Sequence, residues 1–263
     1  MAQALKNEQI ELLKSEAEAN FNASRWEDSA KTYEHLVGLA QKNNDFEQAI
    51  DFALAAIHAW RRMPGKESRI NKLYQAVGLI GLKKAAIGFE QVAEQAEKAN
   101  DLNTAAVNFE EAANGYKLIQ SFERAKAAYL KAIQLFDIRV KTALENKDFE
   151  SAIHLLSRIS SIYLNLKKLI NYVLIERRSL LQKSEKEALF KEKEHYRSKY
   201  HKTVVKIAET HEKLSEEFCK QKTADYYLIA KKELQKAIEI LESIDETQAA
   251  KKLKSKLNKI PKK

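Results

Sequence analysis

The sequence contains few of the residues that interrupt helices or cross-link chains. Its 263 residues include six Gly, two Pro and one Cys, and neither Gly nor Pro occurs from Tyr116 to Ile260. Because Gly and Pro supply most sharp turns and left-handed backbone positions, this stretch is expected to encode few of either. The single cysteine, Cys219, excludes an internal disulfide and a cysteine cluster around a metal. The remaining composition, rich in Ala, Glu, Lys and Leu, predicts an all-α protein.

Long apolar runs and a leader-like segment are also lacking. The apolar runs extend over only a few residues, so no membrane-spanning helix is predicted. The opening stretch MAQALKNEQIELL has no basic region followed by an apolar block and does not read as a secretory signal. Together with the single cysteine, this predicts a reducing, cytoplasmic location.

Residue spacings that carry chemistry are absent as well. No two of the six histidines stand four residues apart, and there is no HExxH sequence, so no metal site is predicted. The scattered glycines form no phosphate-binding loop. No histidine is placed beside Cys219 by local spacing, which favours a buried thiol over a nucleophile. We therefore predict that the protein is not an enzyme and has no catalytic, cofactor-binding or metal-binding residues.

One pattern recurs along the first two-thirds of the chain. A large apolar residue is followed by a small residue three positions later, an aromatic or bulky apolar residue after seven, and an apolar residue after ten. These spacings lie on one face of an α-helix. Copies begin at Trp26, Phe46, Leu82, Leu102, Phe122 and Phe149. Most of these anchors are about 20 residues apart, or about twice that, and such regular repetition predicts an α-solenoid.

Polar turns and helix-capping residues predict where the helices begin. Four anchors directly follow an oxygen-bearing side chain that can cap the first turn, namely Asp45, Asp101, Ser121 and Asp148. Two pairs have the capping-box spacing, Ser24 with Glu27 and Ser184 with Glu187. We predict helices at 3–22, 25–42, 46–62, 67–80, 82–99, 102–119, 122–145, 149–165, 167–182, 184–222, 224–244 and 246–259. We group them as a solenoid over 1–166, a C-terminal helical bundle with one long helix over 167–248, and a basic tail over 249–263.

Two successive helices from Phe109 to Ala132 combine a helix whose small residue comes four positions after the large one with the cleanest copy of the pattern. The matching positions are Phe109, Ala113 and Tyr116 in the first helix, and Phe122, Ala125, Tyr129 and Ala132 in the second. This segment resembles the tetratricopeptide repeat, and the resemblance covers about residues 12–160. Its hairpins of ~40 residues exceed the 34 of that repeat, and with the following bundle they resemble the soluble NSF-attachment protein branch. The chain departs from these families in several respects. Asp137 stands where the repeat has Pro, no apolar membrane loop lies near the N-terminus, and the C-terminus is basic where that branch is acidic.

The resemblance implies a right-handed α-solenoid of helical hairpins followed by a C-terminal bundle. The implied function is a protein-interaction scaffold or adaptor that binds a peptide or helix on the concave face of the solenoid. A second hypothesis is an adaptor in membrane trafficking that contacts coiled coils and anionic membrane. A third is a nucleic-acid-binding helical array. The expected partners are other proteins, with peripheral membrane contact as a further option, and nucleic acid or a small-molecule substrate is disfavoured.

Positive charge is concentrated at the C-terminus. The net charge is +9, and residues 249–263 hold seven lysines and no acid, which leaves +2 for the rest. Leu253, Leu257 and Ile260 fall on one helical face among these lysines, a pattern typical of a membrane-surface helix. A solubilising end and a contact with acidic partners or nucleic acid remain alternatives. The candidate lysines are Lys251, Lys252, Lys254, Lys256, Lys259, Lys262 and Lys263.

Two tryptophans are the other candidate contact residues. Trp26 occupies an anchor, and packing is the expected role of both Trp26 and Trp60. Trp60 is followed directly by Arg61 and Arg62. Because Trp and Arg are enriched among the residues that dominate binding interfaces, these three positions are a candidate partner hot spot.

Overall fold

The protein is all-helical over the part of the chain that the structure describes. The computed structural model describes residues 2–261, and the side chains from Glu8 to Pro261. This range contains ten helices and no strand. The helices are α1 Ala2–Asn22, α2 Trp26–Lys42, α3 Phe46–Trp60, α4 Glu67–Lys98, α5 Leu102–Leu118, α6 Phe122–Glu145, α7 Phe149–Glu176, α8 Lys183–Cys219, α9 Ala224–Ser243 and α10 Thr247–Leu257. The prediction of an all-α helical array is confirmed.

Two pairs of predicted helices are each one continuous helix. The segments predicted at 67–80 and 82–99 form α4, and those predicted at 149–165 and 167–182 form α7, which ends at Glu176. Gly78 and Gly81 lie inside α4 without breaking it. Glycine in a helix interior costs only about 1 kcal/mol, which good helix formers on both sides can outweigh. The long helix predicted at 184–222 is unbroken as α8.

Apart from Gly65, the left-handed residues in the described turns are not glycine. Ser24, Asn44, Asn100, Gln120, Lys147, Lys222 and Asp245 all have φ between 53° and 64°. Several occupy the position after a helix where the chain reverses: the amide of Asp148 donates to the carbonyl of Ala143, and that of Ser121 to the carbonyl of Tyr116, both at 2.8 Å. This hydrogen bond closes a helix C-terminus with one left-handed residue. The expectation of few left-handed positions after Tyr116 is therefore wrong, because polar residues take the place of glycine.

The aspartate caps are confirmed, and the capping boxes are not. The side chains of Asp45, Asp101 and Asp148 accept hydrogen bonds from backbone amides three residues later, at 3.0 to 3.1 Å. Ser24 has a left-handed backbone, and Arg25 takes the cap position of α2, where its side chain makes no capping hydrogen bond. At α8 the capping contact is made by Glu185, which accepts from the backbone amide of Gln182 at 2.7 Å, two residues before the predicted pair.

Packing between chain neighbours defines two compact units. One contains the chain up to Gly88 together with Asn114–Ser121, and the other contains Phe89–Ala113 and the chain from Phe122 onward. In the first unit α1 packs on α2 and α2 on α3. Its core contains Leu36, Ala49, Phe52, Ala53 and Ile80. In the second unit α6 packs on α7, α7 on α8, α8 on α9 and α9 on α10. Sequential packing of this kind is that of a helical solenoid, while the division at residues 166 and 248 stays a prediction.

Five of the six motif copies bury their central residues. The small and third positions are buried in the copies that begin at Trp26, Phe46, Leu102, Phe122 and Phe149. The copy at Leu82 is the exception: Leu82, Phe89 and Val92 are each at least 37% exposed, whereas Ala86 and Ala93 are fully buried. The buried face of this part of α4 thus contains small residues seven positions apart, and the predicted large residues lie on another face.

Candidate interaction surfaces

Trp60 is part of the core of the first unit, not of its surface. Its side chain is 0% exposed and packs with Ala30 and Ala59. The indole nitrogen donates to a carboxylate oxygen of Glu34 at 2.6 Å. Arg69 donates to both oxygens of the same carboxylate and lies over the indole ring, with 4.4 Å from its guanidinium carbon to the ring centroid. A fully buried side chain cannot contact a partner in this conformation, so Trp60 takes the packing role.

The two arginines that follow Trp60 are exposed, and each lies on an aromatic ring. The guanidinium of Arg61 is 5.7 Å from the ring centroid of Tyr74 and donates a hydrogen bond of 2.7 Å to its hydroxyl. The guanidinium of Arg62 is 5.8 Å from the ring of Trp26. We call Arg61, Arg62, Trp26 and Tyr74 the arginine–aromatic surface. The structure brings these side chains together from α2, α4 and the segment after α3.

The charge on the arginine–aromatic surface is not neutralised. Among the described side chains, neither Arg61 nor Arg62 forms an ion pair. Glu34, the nearby partly buried acid, is already bound by Trp60 and Arg69. Burial opposes ionisation of Glu34, yet the hydrogen bonds from Arg69 and Trp60 outweigh it and lower the pKa of this carboxyl. Glu34 is therefore an anion held by Trp60 and Arg69, and it forms no ion pair with Arg61 or Arg62.

The apolar side chains of the basic tail pack within the second unit. Leu253 and Ala250 are buried against Leu234, Ala237 and Ile238 of α9. Leu257 and Ile260 are partly buried on the same cluster. Leu253 is thus covered by α9, because the spacing that suggested a membrane-surface helix also fits a helix that caps its neighbour, whereas Leu257 and Ile260 remain partly accessible. Leu253 is therefore not part of an exposed apolar face, and contact of the tail with a membrane stays a prediction.

The lysines of the tail divide into paired and unpaired groups. Lys254 pairs with Glu242, and Lys256 with both Glu212 and Glu216. Hydrogen bonds from these two glutamates raise the pKa of Lys256. Within the described part of the chain, Lys251, Lys252 and Lys259 are exposed and form no ion pair. The predicted contacts Lys262 and Lys263 lie outside the described residues.

A buried polar pair between α8 and α9 was not foreseen. The Nδ1 of His211 lies 2.8 Å from a carboxylate oxygen of Glu233, and both side chains are buried. Lys236 donates to the other oxygen of Glu233 at 2.7 Å. Next to this pair, the hydroxyl of Ser215 donates to the carbonyl of Ala230 at 2.8 Å. The sequence offered one signal: His211 stands four residues after Ile207 and three before Leu214, on the apolar stripe of α8.

No cluster of potential metal ligands is visible in the described part of the chain. Residues 8–261 contain no group of three His, Cys, Asp or Glu side chains that could hold a metal ion. Burial, and then the charge of Glu216, raise the pKa of the Cys219 thiol, which disfavours the reactive thiolate. None of the helices described is both long and apolar enough to cross a bilayer.

Comparisons with known proteins give only distant similarities. No protein-family model matches the chain, and no curated protein sequence matches it. A solved structure described as a circular tandem repeat protein with novel repeat topology and enhanced subunit contact surfaces aligns with 97% of this chain at 17% identity and a TM-score of 0.30. The chain spans 57% of the length of that protein. BtubC (BKLC) from P. vanneervenii aligns with 97% of this chain and 91% of its own, at 17% identity and a TM-score of 0.25.

Proposed function

We propose that the protein is a non-enzymatic interaction scaffold that binds an acidic segment of another protein at the arginine–aromatic surface. The scaffold is the helical array, whose hairpins we propose to be of the tetratricopeptide type. The proposal rests on Arg61 and Arg62. Both are exposed and form no ion pair among the described side chains. Arg61 lies against the ring of Tyr74, and Arg62 lies against the ring of Trp26.

Such a placement favours binding for two physical reasons. A cation–π contact with a ring restricts the rotamers of an arginine, so less conformational entropy is lost when a partner binds. The planar guanidinium also presents two parallel donors that match a carboxylate. Arginine and aromatic residues are the types that contribute most to interfaces. The placement of the binding site on a concave face stays a prediction.

The alternatives receive less support from the geometry. A membrane-trafficking adaptor that inserts its tail would need the apolar face of α10, whose Leu253 is buried against α9. The exposed lysines Lys251, Lys252 and Lys259 still allow contact with an anionic surface. A nucleic-acid-binding array would use stacked bases on exposed aromatics beside lysines, and the described tail from Thr247 to Pro261 has no aromatic residue.

Charge reversal at the two arginines tests the proposal. The Arg61→Glu/Arg62→Glu variant and the wild type are used as baits for cross-linked capture from cells of the source, followed by a binding assay with the purified captured protein. We expect one defined protein to bind the wild type and to lose affinity by about tenfold or more with the double variant.

A matched control uses a lysine of the same unit. Lys72 is exposed on α4 and forms no ion pair among the described side chains, so Lys72→Glu reverses one charge away from the rings, where the double variant reverses two. This variant should bind as the wild type does. Equal losses with Lys72→Glu and the double variant, or the same captured proteins with all baits, would reject the proposal.

A further inference from the structure

A groove of about 770 Å³ runs along the side of α9 next to the end of α10. One wall is the face of α9 from Leu228 to Glu239, and the other is formed by Leu257, Asn258 and Ile260. The opposite face of α9 is packed on α8 through Leu234, Ile238 and their buried neighbours. No described side chain fills the groove, so this is the open side of α9.

The floor of the groove is apolar, and its rim is basic. Leu228 is 56% exposed, and Leu257 and Ile260 are partly buried beside it. Three lysines of α9 line the rim, Lys231, Lys232 and Lys236, against one acid, Glu239. An apolar floor with charges of one sign around it is typical of a docking surface rather than of a solvated helix face.

The hydrogen bonds of the rim leave one lysine without a partner. Lys231 donates to the backbone carbonyl of Pro261 at 2.9 Å, and Lys236 donates to Glu233 at 2.7 Å. Glu239 accepts from Gln235 at 3.1 Å. Lys232 is exposed and forms no ion pair among the described residues. The bond of Lys231 to a neutral carbonyl leaves its charge uncompensated, so the rim attracts carboxylates.

From this geometry we infer that the groove binds an acidic amphipathic helix of a partner protein. The α9 wall covers eleven residue steps, or roughly 16 Å at 1.5 Å per residue, which matches about three turns of a docked helix. A helix laid between two helices places apolar residues at every third or fourth position on the floor. Glutamates on the flanks of that helix would face Lys231, Lys232 and Lys236. An extended strand would find no sheet edge in the described residues.

A synthetic peptide tests the inference without knowledge of the natural partner. The probe is a fluorescein-labelled peptide of about 12 residues, roughly three turns, with leucines on one face and glutamates on both flanks. Fluorescence anisotropy with the full chain should show saturable binding. A peptide of the same composition in scrambled order should bind at least about tenfold more weakly, because its leucines no longer share a face.

Variants of groove residues and a matched control variant test whether the peptide binds in the groove. We expect Lys232→Glu and Leu228→Asp each to weaken binding by about tenfold or more. Both side chains are exposed, so the thermal unfolding of these variants should match that of the wild type. Lys213 is an exposed, unpaired lysine of α8 outside the groove, and Lys213→Glu should leave the affinity unchanged. Arg61→Glu/Arg62→Glu should also bind normally, so failure at either surface is distinguishable from failure at the other.

Several results would overturn the inference. Equal losses with Lys213→Glu and Lys232→Glu would show general attraction between opposite charges. Absence of binding, or equal binding of the scrambled peptide, would show that the groove does not recognise a helix. Other occupants have their own assays: phosphatidylserine vesicles, a labelled single-stranded oligonucleotide, and light scattering for self-association. If Lys232→Glu abolishes one of these while peptide binding is unchanged, the groove takes that occupant instead.

Discussion

At the scale of single residues, small side chains decide how closely these helices approach. Gly115 of α5 is the clearest case, because a Cβ at this position would lie 2.8 Å from the Cβ of Ala86 on α4. Both residues belong to the first compact unit. Gly38, in the interior of α2, has nothing within 4 Å of the same position. Replacing each of these two glycines by alanine should therefore change the stability of the protein in opposite directions.

We predict that Gly115→Ala destabilises the protein and Gly38→Ala stabilises it. An added methyl group between packed helices costs about 1–3 kcal/mol, which exceeds the gain of about 0.5–1 kcal/mol from replacing glycine within a helix. At Gly38 only the gain applies. Urea denaturation of the two variants gives the difference in the free energy of unfolding. A stabilised Gly115→Ala variant would show that α4 and α5 do not approach as closely as the structure has them.

The candidate site was predictable only in part at this scale. Arg61 and Arg62 were selected because they follow Trp60, yet the rings that hold them are Tyr74 and Trp26. Those rings come from positions twelve or more residues away in the chain, and sequence spacing does not reveal such tertiary neighbours. The aspartate caps, by contrast, depend on contacts within one helical turn, and all three were predicted correctly.

At the scale of helices, the apolar periodicity predicted which segments are helical and which faces they bury better than it predicted where each helix begins and ends. The motif copies in α3, α5, α6 and α7 bury the expected faces. The breaks predicted near residues 81 and 166 do not occur, because a change in apolar pattern does not end a helix when no strong breaker is present. The copy at Leu82 was assigned to the wrong face, since small buried residues such as Ala86 and Ala93 are equally compatible with helix packing.

The contact between α8 and α9 predicts a pH dependence. Burial opposes ionisation of Glu233, but hydrogen bonds from Lys236 and His211 outweigh it and lower the pKa of this carboxyl from 4.5. A carboxyl with a lowered pKa in the folded state stabilises the fold above its unfolded pKa, and this contribution is lost as the pH falls through the folded value. Stability should therefore decline below about pH 5 partly through Glu233.

Glu233→Gln tests this dependence. The variant should lose about 1–3 kcal/mol at pH 7, because the charge-assisted hydrogen bonds to Lys236 and His211 are weakened. Its stability should also fall less steeply than that of the wild type between about pH 5 and pH 3. Glu209 is an exposed acid of α8 without an ion pair among the described residues, so Glu209→Gln should keep the wild-type slope. Identical slopes for Glu233→Gln and the wild type would contradict the assignment.

At the scale of the whole molecule, the distribution of charge matters more than its total. The chain carries +9, and seven of its lysines lie in residues 249–263. The structure divides the described ones into lysines that pair with acids of α8 and α9, and the unpaired, exposed Lys251, Lys252 and Lys259. Among the described lysines of the tail, it is the unpaired group that adds to the attraction for an anionic surface. Of the two leucines between them, Leu253 is buried and Leu257 is partly buried.

The division into paired and unpaired lysines leads to a prediction for binding to an anionic membrane. Vesicles that contain phosphatidylserine should bind the protein at low salt and release it at about 0.5 M salt, where charges are screened within a few ångströms. A variant with Lys251→Glu, Lys252→Glu and Lys259→Glu should float with such vesicles several-fold less than the wild type. Leu257→Ala should float as the wild type does, because Leu257 packs on the cluster between α9 and α10. If Leu257→Ala instead lost as much binding as the lysine variant, the tail would be inserting its apolar face, and α10 would have to leave α9 to do so.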